Sequence, residues 1–502
     1  MSCKSNFNHV SGDIMRDDTG TGDEPTSAVG VGQFKGFYAI KQRFLSERSK
    51  ESALTILNEL TALDDGEIDS EMWMDVKDLI ACLVDTITLP VLITNHQLLL
   101  LTALNRCSSR VIDFLAEYTL RHIEKIYDEL SSSSIAVTIA FARRIVDAQC
   151  AQSVANLLWR FAGLNAVQEE LKSRLMIANA EERFNIHQVT ALVLKEGGDA
   201  SKITDLVNAL ASEIESRDIL CQLNAVELLS DAASQHTSAA EFLMTAGVVD
   251  RLYKLLQDIA EQPDAGFLFP ALMKFFGHLS VTEVHCLRRY PIFLHSLFDI
   301  VHHFDILDAS QRLLAFDTLA VLASTDDAKI FLQSIAQEYD MDKAMNAFGA
   351  AICSGPLELR VRHIDALTMM IRPSNTIQNE VSEIVHSWFA GLGEPFPSVL
   401  LSYASKPFPE IRIATLRLFD QLFNYDWAIK KFMVLAGFME CLLNRNIETN
   451  AEGKQLKFDV VCRLIKCGTS VILPEDLLRL KLYRREGPFH VDRPPQIDME
   501  NE

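Results

Sequence analysis

The sequence predicts an all-α solenoid of stacked helical repeats, and three observations carry the prediction. The phrase Ala246-Gly247-Val248-Val249 closes one helical stretch and opens the next, and Ala436-Gly437-Phe438-Met439 does the same later; the two glycines are 190 residues apart. That is four steps of about 47 residues, the length of an armadillo or HEAT unit. From Phe34 to about Thr469 apolar residues recur at steps of three and four, and strand-like alternation with hairpin turns is absent. Short breakers divide the run, among them Gly197-Gly198, Gln262-Pro263-Asp264, Arg372-Pro373-Ser374-Asn375 and Lys406-Pro407-Phe408-Pro409. One such unit has an apolar face that it cannot bury alone. The units therefore stack, as an armadillo/HEAT-like right-handed superhelix, and leave a long surface suited to holding another protein.

Residues 1–33 carry five glycines among Asp, Ser and Thr, too polar to bury, and are expected to form a disordered tail. The repeat array is expected over 34–478. Its groove-lining helices should be apolar with a small residue near the middle, which selects 220–233, 269–281, 312–324, 359–371, 411–423 and 456–467. In register, these six place one outward column at Glu227, Lys274, Asp317, Asp365, Arg417 and Cys462. A second follows one turn on, at Asp231, His278, Val321, Met369, Gln421 and Lys466. The candidate partner-binding residues are Glu227, Asp231, Lys274, His278, Asp317, Asp365, Arg417 and Gln421. Residues 479–502 read as a basic cluster, Arg479, Lys481, Arg484 and Arg485, followed by an extended C-terminal tail.

Among 502 residues, 48% are hydrophobic, enough for a large core, and the formal net charge is −21. Residues 1–250 carry 21 basic and 36 acidic groups and residues 251–502 carry 26 and 32, so the first half is the more acidic. A surface of that sign repels phosphate, which disfavours nucleic acid and anionic membrane as partners. Ten cysteines are scattered without a C-x-x-C pair, as in proteins of a reducing compartment. Met1 to Asn8 lacks the apolar stretch of a secretory signal, so a cytoplasmic or nuclear protein is expected; in free form a monomer is expected. The most apolar window, 87–104, is interrupted by Pro90, Asn95, His96 and Gln97 and reads as repeat core, not a membrane span.

Catalytic constellations find little support. His295, Asp299 and His303 share one helix face and could hold zinc, but the H-E-x-x-H signature is missing, and an exposed polar stripe is the better reading. Gly20-Thr21-Gly22 and Gly30-Val31-Gly32 lack a P-loop lysine, and no G-x-S-x-G elbow occurs. No catalytic residue, metal or cofactor is expected. None of Trp73, Trp159, Trp388 or Trp427 is followed by Asn four residues later, which counts against the peptide-clamping import adaptors of this architecture. A general armadillo scaffold or transport adaptor stays open as the alternative.

Five phrases are more specific than periodicity: Lys274-Phe275-Phe276-Gly277-His278-Leu279, Arg289-Tyr290-Pro291-Ile292-Phe293, Ser387-Trp388-Phe389, Lys406-Pro407-Phe408-Pro409-Glu410 and Glu486-Gly487-Pro488-Phe489-His490-Val491. In that order they resemble the 26S proteasome non-ATPase regulatory subunit 5 family, over about 222–491. The resemblance implies an assembly chaperone for the base of the proteasome regulatory particle, without enzymatic activity. Such a chaperone grips the C-terminal domain of one base ATPase subunit, escorts the associated base module, and hinders premature docking on the core particle.

Overall fold

The structure, a computed structural model, describes residues 40–44, 46–60, 73–261, 266–374 and 377–490. The polar residues 1–33 and most of the C-terminal tail, from 491 on, lie outside the described residues. Among the described residues there are helices, turns and no strand. The chain divides into two compact units, Met1–Val111 and Ile112–Glu502. In the first, the helices Lys50–Leu60 and Trp73–Ile87 pack together through Ile56, Leu57, Leu79 and Leu83. Lys41 also pairs with Asp75 at 2.5 Å.

The second unit is built around one row of helices, each packed on the next. These are α1 (Ala180–Lys195), α2 (Ile219–Ala233), α3 (Phe269–Glu283), α4 (Ala309–Leu322), α5 (Leu357–Ile371), α6 (Pro409–Leu422) and α7 (Ala451–Cys467). The six helices expected to line the groove are α2 to α7, each found within a few residues of its expected bounds. Their starts are written in the sequence. Asp308 accepts from the Gln311 amide at 2.9 Å while Gln311 reaches back to the Asp308 amide, and Asn179 and Glu182 repeat this capping box at α1. Asp218 and Asn450 cap α2 and α7, and Pro270 and Pro409 occupy first-turn positions where no amide is needed.

Small residues at mid-helix let the row close up. A β-carbon on Gly277 of α3 would sit 3.1 Å from the Thr318 methyl of α4, and Ala225, Ala320, Ala366 and Ala414 are buried within their helices. Behind the row, aromatic side chains fill the gaps between units. Phe276 meets Phe275, Tyr290 and Phe293, Phe316 stacks on Phe348 at 4.5 Å, and Phe419, Phe423, Phe432 and Phe438 form one cluster. The phenylalanines of the distinctive phrases are thus mostly core residues, and Pro291 and Pro409 start helices.

Successive units are also tied by hydrogen bonds spanning about one repeat. The Tyr425 hydroxyl donates to the carbonyl of Ile371 at the end of α5, the Tyr403 hydroxyl donates to Ile352, and the buried Lys329 ammonium donates to Arg372. Each satisfies a carbonyl that a helix terminus would leave orphaned. Burial holds the Lys329 ammonium below the ordinary lysine range, with Asp326 opposing that effect.

Gly247 and Gly437 have φ of +72° and +82°, and both turn the chain from one helix into the next, as their recurrence predicts. The C-terminal basic cluster lies at the end of the last described helix. Arg479, Lys481, Arg484 and Arg485 lie within α8 (Pro474–Glu486), so the boundary expected between 478 and 479 falls inside a helix. Pro474 starts α8, acidic residues occupy its first turn and Arg484 and Arg485 its last, matching the helix dipole, while Leu480 and Tyr483 anchor it by burial.

Candidate functional site

The two expected columns do face outward along the row. Glu227, Asp231, Lys274 and Arg417 are exposed, and His278, Asp317, Asp365 and Gln421 are half-buried. Five of the eight candidates, Glu227, Asp231, Lys274, His278 and Asp317, come together around a hollow of about 770 Å³ formed by α2, α3 and α4, with Phe184 of α1 at its edge. Leu228, Ala271, Leu313, Leu314 and Val321 give it an apolar floor. Asp365, Arg417 and Gln421 do not line the hollow and lie further along the row, on α5 and α6.

The charges at the two ends of the row differ in how they are satisfied. Glu227 and Lys274 make no hydrogen bond or ion pair among the described residues, and Asp231 meets only Lys195, at 3.7 Å. Burial pushes the Asp317 carboxyl above the usual range, against the pull of Arg362, which donates to it at 3.1 Å. Burial likewise lowers the affinity of His278 for a proton; its Nδ1 lies 3.0 Å from the Ser230 hydroxyl. Toward the C-terminus the charges neutralise one another. Arg417 contacts Glu452 at 2.8 Å and Asp365 at 3.9 Å, Arg463 forks onto both oxygens of Asp420 at 3.0 and 3.1 Å, and Gln421 donates to Asp420.

Sequence reasoning missed Lys195, Arg362, Glu452, Asp420 and Arg463, which complete this ladder of charge. Arg362 stands one turn before Asp365 on the same face of α5, a spacing that marks it as a neighbour of the column. The histidine stripe does not converge on one point. His302 Nε2 meets the carbonyl of Asp340, His303 pairs with Asp299, and His295 packs against Tyr339. Among the described residues no group of three or more His, Cys, Asp or Glu is placed to hold a metal, and no helix is long and apolar enough to cross a membrane.

A row of parallel helices with a charged, apolar-floored hollow on its open face defines the class: an α-solenoid of the armadillo/HEAT type. The chain belongs to the family described as proteasome non-ATPase 26S subunit, which matches residues 45–502. It is similar to the 26S proteasome non-ATPase regulatory subunit 5 of Homo sapiens, 26% identical over 353 residues, covering 68% of this chain and 69% of that protein. The Drosophila melanogaster protein of the same name is 26% identical over 321 residues, 63% of this chain and 62% of its own length. Among solved structures, an engineered protein aligns with 79% of the chain at 15% identity and a TM-score of 0.40, and a designed armadillo repeat protein with 51% at 16% and 0.37. The description of the fold rests on the chain's own helices.

Proposed function

We propose that this chain is an assembly chaperone for the base of the proteasome regulatory particle, which acts by occupancy and without catalysis. It binds the C-terminal domain of a base ATPase subunit and keeps the associated module from docking prematurely on the core particle. Family membership supports a proteasome role, and one observation in the molecule carries the binding reading: Glu227 and Lys274, with no hydrogen bond or ion pair among the described residues, stand at an apolar-floored hollow. Leaving both charges open costs the free protein little, because water solvates them. A partner that brings a cation to Glu227, Asp231 and Asp317 and a carboxylate to Lys274 gains complementarity there, and the floor supplies apolar contact.

A chaperone of this kind prefers the unassembled module and shifts assembly by mass action. It works in the cytoplasm and nucleus, as a monomer when free. Raising its level in cells should increase free ATPase modules and reduce doubly capped proteasomes on native gels. Stoichiometric migration with fully assembled, active proteasome would instead make it a resident subunit and overturn the proposal.

A further inference from the structure

The row helices run parallel, so their N-terminal ends share one edge of the second unit. Mid-helix Asp317 pairs with Arg362 on the next helix, Ser230 meets His278, and Asp420 near the end of α6 meets Arg463 near the end of α7. Along the shared edge, six consecutive helices are each preceded or opened by a large apolar side chain left in solvent. They are Ile177 before α1, Leu220 in the first turn of α2, Phe267 before α3, Ile306 before α4, Leu357 at the start of α5 and Phe408 at the start of α6. Their exposure runs from 40% to 84%.

Single exposed apolar residues are ordinary, but one per helix at one edge is a pattern. A staple against the helix's first turn would bury the residue, and Phe267 and Ile306 are each 79% exposed. The series stops at α7, where Glu448 turns inward onto Arg412. The edge is also acidic. Glu215, Asp218, Asp305, Asp308, Glu358 and Glu410 are exposed there, against exposed Arg217 and Lys406; Arg312 and Arg360 donate to the backbone carbonyls of Leu307 and Gly355.

We propose that this edge is a docking rail for an extended, basic segment of another protein, with a large apolar side chain at every third residue and Lys or Arg between. Packed helices are about 8–10 Å apart, and an extended polyproline-type segment advances about 9 Å in three residues while returning to the same face. One apolar anchor then meets each rail residue, and the intervening cations meet the carboxylates. The six rail residues do not line the hollow, although the hollow reaches the first turns of α3 and α4 at Pro270, Ala271, Ser310 and Gln311. The rail does not rest on the chaperone reading, and Glu227 on α2 serves to tell the two surfaces apart.

The test is fluorescence anisotropy of the full chain with a labelled eighteen-residue peptide of six Leu-Pro-Lys triplets. The rail predicts saturable binding that weakens at least tenfold in the Ile306→Ser/Phe408→Ser variant, with melting unchanged because both side chains are exposed. A peptide with Ser in place of Leu should bind at least tenfold more weakly, and Glu227→Lys in the hollow should leave binding at the parent's level. Equal binding by parent and variant, or by the Leu and Ser peptides, overturns the rail. So does loss of binding in Glu227→Lys alone, which places the peptide in the hollow. Self-association of the parent in sedimentation that the double Ser variant abolishes would make the edge a contact between copies and likewise overturn it.

Discussion

Arg417 of α6 meets Glu452 of α7 at 2.8 Å, so one of the most conspicuous cations of the groove already has its partner inside the array. Lys274, three row helices earlier, makes no hydrogen bond or ion pair among the described residues and feels the more distant Asp317 carboxylate. A cation at the same place in the repeat thus has two different fates, and they lead to opposite expectations for mutation.

Lys274→Glu should weaken binding of a base ATPase C-terminal domain at least tenfold and leave melting unchanged, since an exposed charge adds little to the fold. Arg417→Glu should change binding severalfold less. Calorimetric titration of both variants separates them. A larger loss with Arg417→Glu would move the contact to the C-terminal end of the row.

Removing Glu448 should be far more costly than removing any groove charge. Arg412 and Glu448 are 3% and 2% exposed, and the guanidinium Nε lies 3.1 Å from the carboxylate. Glu448→Ala leaves a buried cation uncompensated, at a cost of about 3–5 kcal/mol. Arg412→Met with Glu448→Leu should recover most of it. Hydrogen exchange across α6 and α7 reads the change locally, and a single-variant loss below about 1 kcal/mol would contradict this account.

Gly437→Val should destabilise through the backbone alone. A β-carbon there meets nothing within 4 Å, but φ of +82° costs a side-chain-bearing residue about 1–2 kcal/mol. Gly437→Asn should cost less, since Asn tolerates this conformation. Thermal unfolding checks the order; a valine variant that keeps its melting point yet no longer binds would show Gly437 to be a contact residue.

Acid should loosen the array through His363. Burial lowers its pKa from 6.5 to about 4, helped by the nearby Arg312 and Arg362, and its Nδ1 has no hydrogen-bond partner among the described residues. The unfolded chain then binds more protons between those two values. The stabilisation is complete above pH 6.5 and is lost as pH falls toward 4, by on the order of 3 kcal/mol in all. His363→Leu should flatten this part of a stability-versus-pH curve. A slope identical to the parent's would assign the acid sensitivity elsewhere.

The row helices and the turning glycines were legible because helical period, capping residues and a repeated phrase are local signals. Glu227 and Lys274 could be placed on the open face for the same reason. Which charges neutralise one another could not be read: Arg417 and Glu452 are 35 residues apart while Asp317 and Arg362 are 45 apart, so no fixed spacing marks a partner. The basic cluster reads from the sequence as the end of the last helix, since Gly487 and Pro488 stop the helical pattern visibly, and Arg484 and Arg485 occupy that helix's last turn. The division after Val111 leaves no compositional mark, since apolar helices lie on both sides.

The uneven satisfaction of charge along the row gives the surface a head and a tail. At α2 and α3 Glu227 and Lys274 stand open to counter-charge, and from α4 to α7 the charges are matched within the array. A bound segment lying along it would have a preferred polarity: reversing its sequence would keep its composition and length yet set its charges against the wrong end. Such a surface would discriminate orientation, a property that neither net charge nor surface area confers.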